Sequence, residues 1–302
     1  MGYPATYEAT YSSQGGQISL LDYEFMFGNG GFVLNTDFNG TLPFIDVTQV
    51  TGLDSAPKRM NTNEHEGMDG TYVDGKFQSM RTVVITGTLF ANVNDCDTIL
   101  KQLRADYTDP TIRPFYFQLP SQGIQFVNAQ GGGCQYDIDT LRRLGQTSIQ
   151  FTLLCSDPNI YDYPASFGRA AYNVVPDIGF GFPIGFPLAF GGPIFYSSVA
   201  VANYGTKDAY PTFLLYGALQ NPSLSSSVSD SAMTFKINLQ QGDTLQVDCQ
   251  YKRVILNDSE SRRSALKGLT FFTVPKNETV MFFLSADSGA GSFSVTSYNT
   301  YY

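Results

Sequence analysis

Tryptophan is absent from the chain, histidine occurs once, and charged residues make up only 15% of its 302 positions. The single histidine, His65, rules out any two-histidine zinc site, although His65-Glu66 begins like one. A Ser-His-Asp triad would have to use this residue, and no G-x-S-x-G elbow accompanies it. It sits in the polar, Gly-flanked stretch Glu64-His65-Glu66-Gly67, which reads as an exposed loop. A phosphate-cradling P-loop is missing, and so is a G-x-G-x-x-G turn opening a helix. Gly28-x-Gly30-Gly31 lies in a turn-rich β region, where hairpin geometry accounts for it.

No basic run exists. With a net charge of −9 and a pI near 4.5, the chain lacks the electrostatic footprint of nucleic-acid binding. The cysteines Cys96, Cys134, Cys155 and Cys249 form no C-x-x-C pair, so neither a zinc ribbon nor a redox motif is indicated. They fall in apolar patterns and read as small buried hydrophobes in a reduced compartment. The first residues, MGYPATYEATYSSQGG, carry no basic n-region and no apolar core, so no signal peptide is expected.

Long hydrophobic runs are also missing. The one uncharged stretch, 178–206, is broken by Gly179, Gly181, Pro183, Gly185, Pro187, Gly191, Gly192 and Pro193. A spanning segment must satisfy its backbone internally, so this is no transmembrane helix. Acidic pairs (Glu64/Glu66, Asp69/Asp74, Asp137/Asp139) are present, but sequence neighbours do not make the facing carboxylates a glycosidase needs. No EF-hand loop is present. The expectation is a non-enzyme without catalytic, metal or cofactor-binding residues.

What the chain does have is aromatics, 24 Phe and 19 Tyr, which suit a pleated surface. Short apolar runs at Tyr23–Phe27 and Phe44–Val50 read as strands, and Lys58–Asp74 as a polar loop. RTVVITGTLF (81–90) alternates, with Val83, Ile85 and Leu89 on one face and Thr82, Thr86 and Thr88 on the other. One helix is expected near 94–108: Asn94 as cap, Asp95 and Asp97 in the first turn, a stripe of Ile99, Leu100, Leu103 and Tyr107, and a stop at Asp109-Pro110. The runs RPFYFQL, GIQFVN, CQYDIDTL and TSIQFTLLC follow as further strands. From about 194 onward some eight short strands separated by turns indicate a β-sandwich or jelly roll.

The fold class is therefore mostly β with one helix. A barrel- or sandwich-like N-terminal domain is expected over 1–170, a Gly/Phe/Pro linker over 171–195 and a C-terminal β-sandwich over 196–302. Phe180, Phe182, Pro183, Phe186, Pro187 and Phe190 in the linker are candidates for a domain clasp or an intersubunit arm. Parts of 28–45, 58–75 and 120–135 are candidate intersubunit contacts, and the tyrosines Tyr298, Tyr301 and Tyr302 suit a subunit interface.

The order of these features resembles the distal tail protein family of long, non-contractile-tailed phages. The strand–helix unit Arg81–Tyr107 with RPFYFQL carries the likeness, as do TSIQFTLLCSDPNIY with its Asp157-Pro158-x-x-Tyr161 ending and the linker. So do Asn203-Tyr-Gly205-Thr206 leading to Tyr210-Pro211, the Gly242-Asp243 turn, Arg253-x-x-x-Asn257 and LTFFTVPKNETVMFF. The likeness spans about 80–295 and departs at Pro275-Lys276-Asn277, where the family often has Pro-Gly. It implies a ring-forming N-terminal domain, a galectin-like C-terminal sandwich, and a homo-oligomeric, hexameric ring at the virion's tail tip, assembled in the bacterial cytoplasm. Implied partners are the tail tube protein, the tape-measure protein, a tail-associated central hub protein, and receptor-binding proteins or host glycan. Two other readings compete: a carbohydrate-binding module contacting the host surface, and a tail-associated hydrolase whose active site is not found in the residues.

Overall fold

The computed structural model describes residues 18–29, 31–36, 42–64, 69, 71–138, 140–173, 197–268 and 270–302. The chain divides into two compact units, one ending at Tyr163 and the other spanning Pro164–Tyr301.

The first unit contains β1 (Phe25–Phe27), β2 (Val33–Leu34), β3 (Phe44–Thr51), β4 (Lys58–Glu64), β5 (Thr71–Gln78), β6 (Arg81–Phe90), α1 (Cys96–Thr108), β7 (Arg113–Gln118), β8 (Ile124–Tyr136), β9 (Gln146–Cys155) and β10 (Ile160–Asp162). An antiparallel path β2-β1-β7-β8-β9-β6-β3 runs through it. Strand β8 is its corner. Residues up to Ala129 pair with β7, and those from Gln130 onward pair with β9. Just past that switch, at Gly131-Gly132-Gly133, the register slips by one residue. A Cβ at Gly131 would sit 2.4 Å from the Tyr107 carbonyl oxygen, so only glycine lets the strand turn beneath the end of α1.

Alternation along β6 buries Val83, Ile85 and Leu89, and along β9 it buries Ile149, Phe151, Leu153 and Cys155. The expected helical stripe is the buried one: Ile99, Leu100, Leu103 and Tyr107. The Tyr107 ring stacks on Phe151 at 4.0 Å and lies 5.2 Å from Phe27, joining helix to both parts of the sheet. The helix begins later than expected. Asp95, not Asn94, is the N-cap, and no side-chain cap bond forms. Asp109 is extended and ends it, as a residue before proline should.

Two other expectations change. The polar stretch from Lys58 is not a loop but the antiparallel pair β4–β5. The GIQFVN and CQYDIDTL runs are one strand through its glycines, which ends at Tyr136. Asp137 therefore lies beyond β8, and Asp139 is outside the described residues.

The second unit contains β11 (Ser166–Asn173), β12 (Ser197–Asn203), β13 (Thr212–Gln220), β14 (Ser223–Ser226), β15 (Ser229–Phe235), β16 (Asn238–Leu239), β17 (Thr244–Asp248), β18 (Arg253–Leu256), β19 (Glu260–Ser261), β20 (Leu266–Lys267), β21 (Glu278–Ser285) and β22 (Ser288–Ser297). They form two sheets, β11-β22-β13-β17-β18-β19 and β12-β21-β14-β15-β20. The inner faces meet in one core, with Phe213, Leu215, Val247 and Phe293 from one sheet and Val201, Phe235, Phe282 and Leu284 from the other. Phe213 meets Phe282 edge-on at 4.9 Å. Residues 166–170, at the end of the expected first domain, begin β11, which pairs along its whole length with β22. In the LTFFTV run the described residues, 270–274, form no strand and contribute one bridge, Val274 to Ala209.

The Asn203-Tyr-Gly205 motif has a physical basis. Asn203 is fully buried, donates its amide to the carbonyls of Lys207 and Val274 at 2.8 and 3.0 Å, and accepts from the Gly205 N–H at 3.0 Å. A Cβ at Gly205 would collide with the Thr300 backbone at 2.2 Å.

Candidate assembly surface

Strands β4 and β5 form a sheet of their own, paired with no third strand among the described residues. At the base of this hairpin the Ser79 N–H donates to the Pro57 carbonyl at 2.7 Å. Met60, Phe77 and Met80 are about half exposed at 50%, 54% and 49%, and the Arg59 guanidinium lies 5.9 Å over the Phe77 ring. A two-stranded ribbon is marginal alone and needs something to pack on. Exposed apolar side chains beside open strand edges supply both means of pairing with another chain.

What anchors this hairpin is Arg81, the residue that starts β6 three positions after β5 ends. Its side chain is completely buried. Nε donates to the Pro158 carbonyl at 2.9 Å, and Nη1 donates to the carbonyls of Gly52 and Asp54 at 2.8 and 3.2 Å. Burial pulls the guanidinium below its ordinary pKa, against the opposing pull of Cys155, Asp54 and Asp157. The carbonyl it reads belongs to the Asp157-Pro158-x-x-Tyr161 ending of β9. There the Tyr161 hydroxyl donates to Asp157 Oδ2 at 2.5 Å, and the Asn159 N–H donates to Oδ1 at 3.2 Å. One buried cation at the start of β6 thus ties down two other segments, 52–54 and the turn at Pro158, at the foot of the hairpin.

A second feature is a cleft of about 310 Å³ between α1 and the β1–β2 turn, lined by Phe27, Asn29, Ile99, Leu103, Asp106 and Arg113 among others. Arg113 lies over the Phe27 ring at 4.5 Å and donates to the Asp106 carbonyl at 2.6 Å. Gly28, at φ +78, makes the turn that leaves the cleft open.

No protein-family model matches the sequence, and no curated protein does. Solved structures do match. The Dit protein of phage SPP1 (gp 19.1), described as a paradigm of hub adsorption apparatus in Gram-positive infecting phages, superposes with a TM-score of 0.58 at 14% identity. That match covers 91% of this chain and 98% of the other. A chain of the phage P2 baseplate in its calcium-activated conformation matches with a TM-score of 0.54 at 10% identity, covering 92% of this chain and 98% of that one. The corresponding strontium structure gives 0.52, also at 10% identity, over 91% and 97%. The fold is that of phage tail-hub proteins.

Within this hub fold the sequence-proposed contact segments fare unequally. Of 58–75, the described part is the hairpin. Most of 120–135 is β8, bonded to strands on its flanks, so only its leading turn is loop. In 28–45, Gly28 and Asn29 border the cleft. Phe180, Phe182, Pro183, Phe186, Pro187 and Phe190 lie outside the described residues, as does His65. The thiols are free. Burial pushes Cys155 and Cys249 up to about 12 and Cys134 up to about 11, far from a reactive thiolate. Among the described residues no cluster of three metal-ligating side chains occurs, and no helix is long and apolar enough to cross a membrane.

Proposed function

We propose that this protein is a structural, non-catalytic subunit of a phage tail-tip ring, the hub that joins tail tube to adsorption apparatus in the virion. The observation that carries this reading is the length of the structural match: both units, in order, over 98% of a tail-hub chain. The ring is a closed homohexamer, built in the host cytoplasm, with the tail tube protein, the tape-measure protein, a central hub protein and receptor-binding proteins as neighbours. The second unit is its galectin-like sandwich, and the 171–195 segment serves as a domain clasp or intersubunit arm. Rings form through heterologous contacts that close, in which one patch of a subunit meets a different patch of the next. The β4–β5 hairpin fits such a contact, with a neighbouring copy covering Met60 and Phe77.

Negative-stain imaging of the concentrated full-length chain tests this. Closed rings with a central hole are expected. Monomers that stay dispersed both alone and when mixed with tube protein would remove the reading.

A further inference from the structure

We infer that the second unit carries a binding site for a phosphate-bearing sugar or polyol, in a cleft on the outer face of its β12-β21-β14-β15-β20 sheet. The inner face of that sheet is core: Leu224, Phe235, Leu266 and Leu284 are buried in it. By strand alternation their neighbours Ser223, Thr234, Lys267 and Ser285 face the other way. Register aligns them. Ser285 is opposite Ser223, Ser223 opposite Thr234, and Thr234 opposite Lys267. Four strands thus present one straight row of three hydroxyls ending in an ammonium, about 14 Å long at the usual strand spacing.

The row is the floor of a cleft of about 270 Å³, which Asn221, Lys236 and Asp287 also line. Its two ends differ in chemistry. Lys236 and Lys267 both line one end, and neither ammonium has an ion-pair or hydrogen-bond partner among the described residues. At the other, Asn221 donates to Asp287 Oδ2 at 2.8 Å, leaving further acceptor positions on the carboxylate. Between them Ser223 and Thr234 hydroxyls share one hydrogen bond at 3.0 Å and keep lone pairs free.

Unneutralised lysines suit a phosphate as point charges. A carboxylate repels a second anion but accepts from neutral hydroxyls. The ligand that matches both ends is therefore anionic at one end and polyhydroxylated at the other. From Lys236 to Lys267 inclusive, the sequence holds six cations against four carboxylates in a chain of net charge −9. The cleft lies wholly in the second unit, so this inference stands whether or not the chain closes into rings.

Ligand-observed NMR on the full-length protein tests it, with glucose 6-phosphate, glucose and inorganic phosphate as probes. Glucose 6-phosphate is expected to bind saturably in the millimolar range. Each half-ligand alone should bind about tenfold more weakly, since each meets only one end. Lys236→Gln with Lys267→Gln should weaken the sugar phosphate about tenfold without moving the thermal midpoint, because both side chains are exposed. Asp287→Ala should weaken it while leaving inorganic phosphate unchanged. Absence of saturation would overturn the proposal. Equal binding of inorganic phosphate and glucose 6-phosphate would reduce the cleft to a basic patch and overturn it too, as would a double-lysine variant that binds like the parent.

Discussion

Arg81 shows what one residue can do that its nearest substitute cannot. Its guanidinium reaches carbonyls of Pro158, Gly52 and Asp54 from two nitrogens at fixed angles. A lysine ammonium carries the same charge, but its single nitrogen cannot meet acceptors on both sides at once. Arg81→Lys should therefore lower the stability of the first unit by about 2–3 kcal/mol, the cost of leaving buried carbonyls unmet beside a poorly solvated cation. A urea midpoint unchanged from the parent would contradict this. The sequence displays Arg81 as the polar residue that opens an alternating strand, where two signals conflict. The pattern marks Val83, Ile85 and Leu89 as inward, and Arg81 shares their parity, so alternation alone places it inside. The usual exposure of arginine argues the other way and is overruled by three carbonyls that only the folded chain brings together. Asn203 is the same case: its motif can be read along the chain, but its bonds to Lys207, Val274 and Gly205 cannot.

Among the elements, the most legible are those whose pattern is local. Helix α1 and strands β6 and β9 come straight from periodicity, because each buries one face against the rest of its own unit. The β4–β5 hairpin escapes this reading because its strands form a two-stranded sheet of their own and Lys58–Glu64 holds a single apolar residue, too few to show the alternation that marks a half-buried strand. The corner in β8 escapes it for another reason. Three glycines signal a loop until the Tyr107 carbonyl, brought there by α1, shows why a continuous strand needs them. The hairpin can be tested separately from the fold. Replacing residues 59–77 by a short Gly-Ser linker removes strands that pair with no third strand among the described residues, so the circular dichroism and melting of the remainder should change little. Oligomers seen by mass photometry should disappear. Oligomers that survive the deletion would move the subunit contact elsewhere.

For the whole molecule, the composition makes an argument about assembly that neither unit makes alone. Each copy of the chain carries a net charge of −9, so bringing copies together works against their mutual repulsion. Among the hairpin's described side chains, Met60 and Phe77 are exposed apolar surface, and the exposed cations Lys58 and Arg59 stand at the base. If ring closure rests on apolar burial and strand pairing, salt should favour it. Between roughly 50 and 500 mM sodium chloride the screening length falls from about 14 to about 4 Å, so repulsion between acidic surfaces fades while burial of Met60 and Phe77 is little affected. The fraction of protein in rings, followed by sedimentation velocity at fixed concentration, should then rise with salt. An interface held by ion pairs across subunits behaves in the opposite sense, because the same screening weakens each attraction. Dissociation on adding salt would therefore replace the apolar hairpin contact with a charged one, and would direct attention to the basic segment from Lys236 to Lys267, the part of this acidic chain best able to meet a neighbour's carboxylates.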